Sequence, residues 1–267
     1  WGTCSYSSIN AIQNKACRFF LGVGAKAANT ATRGDMGWQS QLHRQYIEVM
    51  RLYHRLETLP NHRLNSKVHH HCKTKKSPST WIKKAQKLLK RLEYDNSDVN
   101  CTSKLYVQRF KLFLAANDQE KWYHELFNDN GCRNGNKLRT YRLHKDRMAT
   151  ESYVTATISR GERSVLARLR SGTLPLEVET GRYKKVPLAS RHCNLCRSGI
   201  EDEIHFLIDC DFYQDLGYNM FQYMAMENEQ FTQSSSLVKF ILIMLCPNVN
   251  LIAKTVFKMF MRRKIYI

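Results

Sequence analysis

The sequence predicts a mostly α protein, with helical segments around a small cysteine-rich knuckle and a disordered basic linker. Three observations lead to this class. Apolar residues recur at three- and four-residue steps along most of the chain, the period of a helix with one buried face. No run alternates at the strand period, and no repeat recurs at a solenoid period. Cys193, Cys196, His205 and Cys210 fall within eighteen residues of one another.

The elements follow in order. Residues 1–60 read as an N-terminal helical segment. Within it, Ile9, Ile12, Ala16, Phe19 and Phe20 share one face, and Gly22 and Gly24 end that run. A second stretch, from Gln39 to Leu56, places Leu42, Tyr46, Ile47, Met50, Tyr53 and Leu56 on one side and closes at Pro60. Residues 61–79, "NHRLNSKVHHHCKTKKSPS", are poor in large apolar side chains and read as a flexible basic linker. The run His69, His70, His71 and Cys72 lies within it without metal-ligand partners at a suitable spacing. From Thr80, a candidate N-cap, "WIKKAQKLLKRL" gives a basic amphipathic helix at the head of a basic helical region over 80–175. That region continues as a long helix over "KLYVQRFKLFLAANDQEKWYHELF", a Gly- and Asn-rich loop over 128–136, and a short helix over "RGERSVLARLRSG" stopped by Gly172 and Pro175. The knuckle occupies 176–215. Helices fill 216–267, the last with Ile252, Val256, Phe257 and Phe260 on one face.

Charge narrows the partners. The 42 Lys and Arg against 23 Asp and Glu leave a formal +19 over 267 residues, a field that draws polyanions, nucleic acid first. No acidic residue occurs between Thr58 and Leu92. The longest uncharged apolar run, Phe240 to Ala253, is fourteen residues and holds Pro247, short of the roughly twenty that cross a bilayer, so no membrane span is expected. The chain begins at Trp1 without a secretory pattern and reads as a fragment or cleaved product. Nine scattered cysteines fit free thiols in a reducing compartment, the nucleus or cytoplasm. Isolated ones such as Cys17, Cys101 and Cys246 read as packing residues, as do Trp38, Trp81 and Trp122.

The knuckle spacing is C-x2-C-x8-H-x4-C. Two cysteines separated by two residues can direct both sulfurs at one ion from a tight turn, and the histidine and third cysteine complete a tetrahedron. A disulfide between Cys193 and Cys196 would need an oxidising compartment, which nothing in the sequence indicates. A catalytic zinc keeps a coordination position open, whereas three thiolates and one imidazole fill all four and describe a structural Zn²⁺. The deaminase pattern, His-x-Glu before Pro-Cys-x-x-Cys, is absent. Arg182, Tyr183, Lys184, Lys185 and Arg191 lead into the knuckle and Arg197 sits inside it, residue types suited to phosphate contact and to stacking on an unpaired base. RNA, DNA or both are the expected partners.

Several phrases resemble a known family. "LRTYRLHKDRMATESYV", "LARLRSGTLPLEVETGRYKKVPL" and "CNLCRSGIEDEIHFLIDCDFY" are similar to the C-terminal region of reverse transcriptase polyproteins from non-LTR (LINE-like) retrotransposons, ending in that family's Cys-Cys-His-Cys knuckle. Upstream, "IQNKACRFFLGVG" and "GDMGWQSQLHRQYIEVMRLYHRL" resemble its helical stretch between polymerase and knuckle. The resemblance implies Cys193, Cys196, His205 and Cys210 as ligands and a role in gripping template RNA or target DNA. The intact polyprotein would be an RNA-directed DNA polymerase. This chain has no Tyr-x-Asp-Asp motif and no set of paired carboxylates for two Mg²⁺ ions, so it is not expected to be an enzyme itself. A zinc-stabilised helical protein-interaction domain and an inactive remnant are the alternatives.

Overall fold

The fold is that of a computed structural model, which describes residues 7–75, 80–94, 102–127 and 137–267. Helices α1 (Ser7–Leu21), α2 (Asn29–Met36), α3 (Gln41–Thr58), α4 (Leu64–Thr74), α5 (Thr80–Arg91) and α6 (Ser103–Phe127) come first. They are followed by α7 (Tyr141–His144), α8 (Ser152–Thr155), α9 (Arg160–Arg170), α10 (Glu177–Tyr183), α11 (Gln214–Glu227), α12 (Ser236–Met244) and α13 (Val249–Tyr266). No strand forms among the described residues apart from an isolated antiparallel bridge, His192 to Ile200, so the protein is mostly α. No described helix is long and apolar enough to cross a membrane. The loop expected over 128–136, Cys101 and the side chain of Thr80 lie outside the described residues.

The chain divides into two compact units. One contains Gln39–Lys121 with the residues up to Gln13, and the other contains Asn14–Trp38 with Trp122–Ile267. The first unit is built around Tyr46, Ile47, Met50 and Tyr53 of α3, Ala85, Leu88 and Leu89 of α5, and Tyr106, Val107, Phe110 and Leu114 of α6. Ser40 caps α3 by accepting from the His43 amide. The basic amphipathic helix forms as its pattern predicts. Ile82, Ala85, Leu88 and Leu89 are buried on α5, while Lys83, Lys84, Lys87 and Lys90 are exposed. Arg91 donates to the Tyr46 hydroxyl.

Of the expected disordered linker over 61–79, the part from Leu64 to Thr74 is corrected by α4, and 76–79 lie outside the described residues. Polar contacts, rather than an apolar stripe, fix this helix. His69 and Lys73, four residues apart and so on one helical face, both meet Glu57 at the end of α3, at 3.0 and 2.8 Å. Ser66 donates to the Leu59 carbonyl, and the buried His69 ring packs edge-on against Tyr53. Burial alone would raise the Glu57 carboxyl, but Lys73 and His69 outweigh it and hold the group below its ordinary range.

The second unit packs Val165, Leu166 and Leu169 of α9 against Ile252, Val256 and Phe260 of α13. Met220 and Met224 of α11 and Phe240 and Ile243 of α12 join the same core. A capping box between Ser159 and Glu162 starts α9. Gly172 follows that helix at φ +64°, where a Cβ would sit 2.1 Å from the Lys137 carbonyl oxygen.

The face expected to be buried on α1 is also corrected. Ile12, Phe19 and Phe20 are exposed, and Gln13, Cys17 and Leu21 point inward instead. That inward row is spaced i, i+4, i+8, and Cys17 and Leu21 belong to the core of the second unit. The two displaced aromatics are partly covered by side chains of that unit: Arg160 lies over the Phe19 ring and Trp38 meets Phe20 edge-on.

A network of charged groups lies inside the second unit. Asp35 accepts from Tyr141 at 2.9 Å, from Tyr153 at 2.7 Å and from Arg170 Nε at 3.1 Å. Arg170 also pairs with Glu151 at 3.0 Å and donates to the Met244 carbonyl, while Lys145 pairs with Glu151. Two acids and two bases balance, so the buried cluster carries no net charge.

Candidate metal centre

A short reversal of the chain positions the first two ligands. The Cys193 amide donates to Gly199 O at 2.8 Å and the Arg197 amide to Cys193 O at 3.0 Å, which folds 193–199 into a turn closed by the His192–Ile200 bridge. Arg197 takes φ +59° within it. The other two ligands come from a π-helical turn over His205–Asp209. In an α-helix, residues five apart point about 140° away from each other. Here Cys210 N bonds to His205 O, and this wider i to i+5 turn brings residues 205 and 210 around to one side. Asp202 caps the turn by accepting from the His205 amide at 2.8 Å.

The four ligand atoms of Cys193, Cys196, His205 and Cys210 all lie within 4.8 Å of one another. Cys193 Sγ and Cys210 Sγ are 3.9 Å apart, and Cys196 Sγ is 3.2 Å from His205 Nε2. Cys193, Cys210 and His205 are buried, whereas Cys196 is half-buried beside the Ser198 hydroxyl. Three sulfurs and one imidazole nitrogen converging at this distance fit a bound metal ion. The Cys210 hydrogen bond holds the Cys193 thiol far down, and the same contact pushes Cys210 far up. Hydrogen bonding to Cys193 pushes His205 up to about 9. A metal binds only the unprotonated ligands, so loading this site expels protons.

Behind the ligands stands a buried carboxylate that sequence reasoning missed. Glu201 Oε1 lies 4.0 Å from Cys193 Sγ, and the carboxylate takes a two-pronged contact from Arg263 of α13, with both N–O distances 2.8 Å. Its Oε2 also accepts from the Glu177 amide at the start of α10. One acid thus ties the knuckle to α10 and α13. A charged pair 62 residues apart in the chain leaves no trace in local spacing.

The basic approach divides in two. Arg191, expected to touch nucleic acid, is instead buried: its guanidinium donates to Val186 O at 2.9 and 2.8 Å and to Val178 O at 2.8 Å. It lies so close over Gly181 that a Cβ there would meet Arg191 Cδ at 2.9 Å. Arg191→Ala is therefore expected to cost about 3 kcal/mol in a urea denaturation experiment, with Arg191→Lys restoring only part because an ammonium lacks the planar fork. Arg182 is half-buried against Glu179 at 2.8 Å and stacks over Tyr183. Tyr183, Lys184, Lys185 and Arg197 are exposed.

Among the other residues singled out by sequence, Trp122 is buried and donates to Thr30 O at 2.8 Å, and Cys17 and Cys246 are buried packing residues. No family model matches this chain, and comparison with curated proteins and with solved structures likewise finds no match.

Proposed function

We propose that the chain is a nucleic-acid-binding unit built on a structural zinc knuckle, the C-terminal part of a reverse transcriptase polyprotein of the non-LTR retrotransposon kind. Zinc is the ion the donor set favours. With Zn–S bonds of about 2.3 Å, tetrahedral geometry separates two sulfurs by about 3.8 Å, and Cys193 and Cys210 stand 3.9 Å apart. All four positions are filled by protein, so the ion holds the fold and activates no water.

The observation that carries the nucleic-acid reading is the exposure of Lys184 and Lys185 just ahead of the knuckle and of Arg197 inside it, while the neighbouring arginines are tied into the fold. Exposed cations are free to meet phosphates, and the formal +19 supplies the long-range attraction. RNA, DNA or both are the partners, and the nucleus or cytoplasm is the setting. No catalytic step belongs to this chain.

The test is a salt titration of binding to a labelled single-stranded RNA by the zinc-loaded chain. Affinity should fall steeply with salt, and Lys184→Gln with Lys185→Gln should lower the log–log slope by about 0.7 for each phosphate no longer neutralised. Absence of binding at low salt while zinc is bound overturns the reading. It would favour instead a helical protein-interaction domain, for which exposed Phe19 and Phe20 on α1 are the candidate surface.

A further inference from the structure

The second unit holds a cleft of about 440 Å³, lined by none of the four candidate ligands but by Gly22, Gly24, Lys26 and Ala27 together with Arg168, Thr173, Pro175 and Tyr183. This volume is in the range of pockets that hold small organic ligands. Its charge is unusual. Arg168, in the last turn of α9, is half-buried, and among the described residues it forms neither an ion pair nor a side-chain hydrogen bond. Its one described contact is the Phe260 ring, 5.3 Å beneath the guanidinium. Burial, the sole cause of the shift, pushes its pKa down. The contrast with Arg170, two residues on and satisfied by Asp35, Glu151 and Met244 O, is sharp.

A partly desolvated cation without an anion is stabilised by any anion that reaches it. The cleft's own carboxylate does not fill that role. Glu179 is already held by Arg182 at 2.8 Å and Lys137 at 3.1 Å, and it accepts from the Tyr183 hydroxyl at 3.1 Å. Lys26, which also lines the cleft, is exposed, its ammonium 6.0 Å from the Tyr183 ring centroid. Two cations thus face a cleft whose acid is neutralised and whose remaining walls are aromatic, apolar and hydroxyl-bearing.

We infer that this cleft binds one nucleotide of a single strand, its backbone phosphate between Arg168 and Lys26 and its sugar and base against Pro175 and Tyr183. The inference rests on the nucleic-acid reading above and extends it: the strand held at Lys184 and Lys185 continues past Tyr183 into the cleft.

Gly24 makes the test clean. A Cβ at this position meets nothing within 4 Å, so Gly24→Glu places a carboxylate in the cleft without disturbing packing. Binding of a labelled single-stranded RNA would be measured on the zinc-loaded full chain for the wild type, Arg168→Gln, Gly24→Glu and the Lys184→Gln, Lys185→Gln double variant, with melting curves alongside. Arg168→Gln should weaken binding roughly tenfold and reduce the salt slope by about 0.7. Gly24→Glu should weaken it at least as much without changing the melting temperature. Wild-type affinity in both cleft variants, with weakened binding in the lysine variant, would overturn the cleft and leave the knuckle reading standing. No binding by the wild type at low salt would overturn both. If Arg168→Gln proves unstable, Gly24→Glu alone decides.

Discussion

Stripping the metal with a chelator, or replacing Cys196 with Ser, is expected to melt the knuckle and loosen the helices packed on it. Three of the four ligands are buried, and Cys193 and Cys210 belong to the same core as Phe206, Leu207, Tyr213 and Val256. Without the ion, the turn over 193–199 and the π-helical turn are held by a few backbone bonds and by weak hydrogen bonds among the four side chains. Structural zinc contributes about 10–16 kcal/mol to the folding of isolated fingers at neutral pH. The shared apolar core retains part of the structure here, so we expect a loss of at least about 4 kcal/mol, large against the 5–15 kcal/mol total of a typical domain. Cys72→Ser, at a half-buried free thiol in the first unit, should change the melting temperature little. Acid should act in the same direction as the chelator, because protons compete with the ion for every ligand.

The second large effect is expected at Asp35. Asp35→Ala removes the acceptor shared by Tyr141, Tyr153 and Arg170 and leaves Arg170 with Glu151 as its sole counter-charge in the buried cluster. Breaking one member of a buried pair costs about 3–5 kcal/mol, since the remaining charge loses its compensation without regaining water. Denaturation by urea should show a lower midpoint with an unchanged slope. Burial pushes the Asp35 carboxyl up, but Arg170, Lys145 and the Tyr153 hydroxyl outweigh it, so its folded pKa lies below the ordinary value. A depressed carboxyl contributes stability that is fully present above the unfolded pKa of about 3.9 and lost as pH falls through the folded value. The wild type should therefore lose more stability than Asp35→Asn below about pH 4, and the two curves should run parallel above about pH 5.

Legibility in the sequence followed distance along the chain. The cluster of Cys193, Cys196, His205 and Cys210 could be found because all four lie in one short segment, where spacing alone restricts geometry. The amphipathic helix α5 could be found because its own residues carry the pattern. Helix α4 was hidden, since what orders it is Glu57 reaching His69 and Lys73 from another helix, and no apolar stripe announces that. The orientation of α1 was ambiguous because two rows compete, and the bulkier aromatics lost to Gln13, Cys17 and Leu21. Arg191 looked like its basic neighbours, and only its three carbonyl contacts distinguish a strut from a surface cation. The Asp35–Arg170 pair, 135 residues apart, leaves no local trace at all.

The central claim is a closed four-ligand metal site, and cobalt substitution tests it most directly. Refolding with Co²⁺ should give one ion per chain with the intense visible absorption of a tetrahedral thiolate site, and Cys196→Ser should abolish stoichiometric binding or shift that spectrum. A chain that takes up no cobalt, or a cobalt spectrum unchanged by Cys196→Ser, would contradict the account.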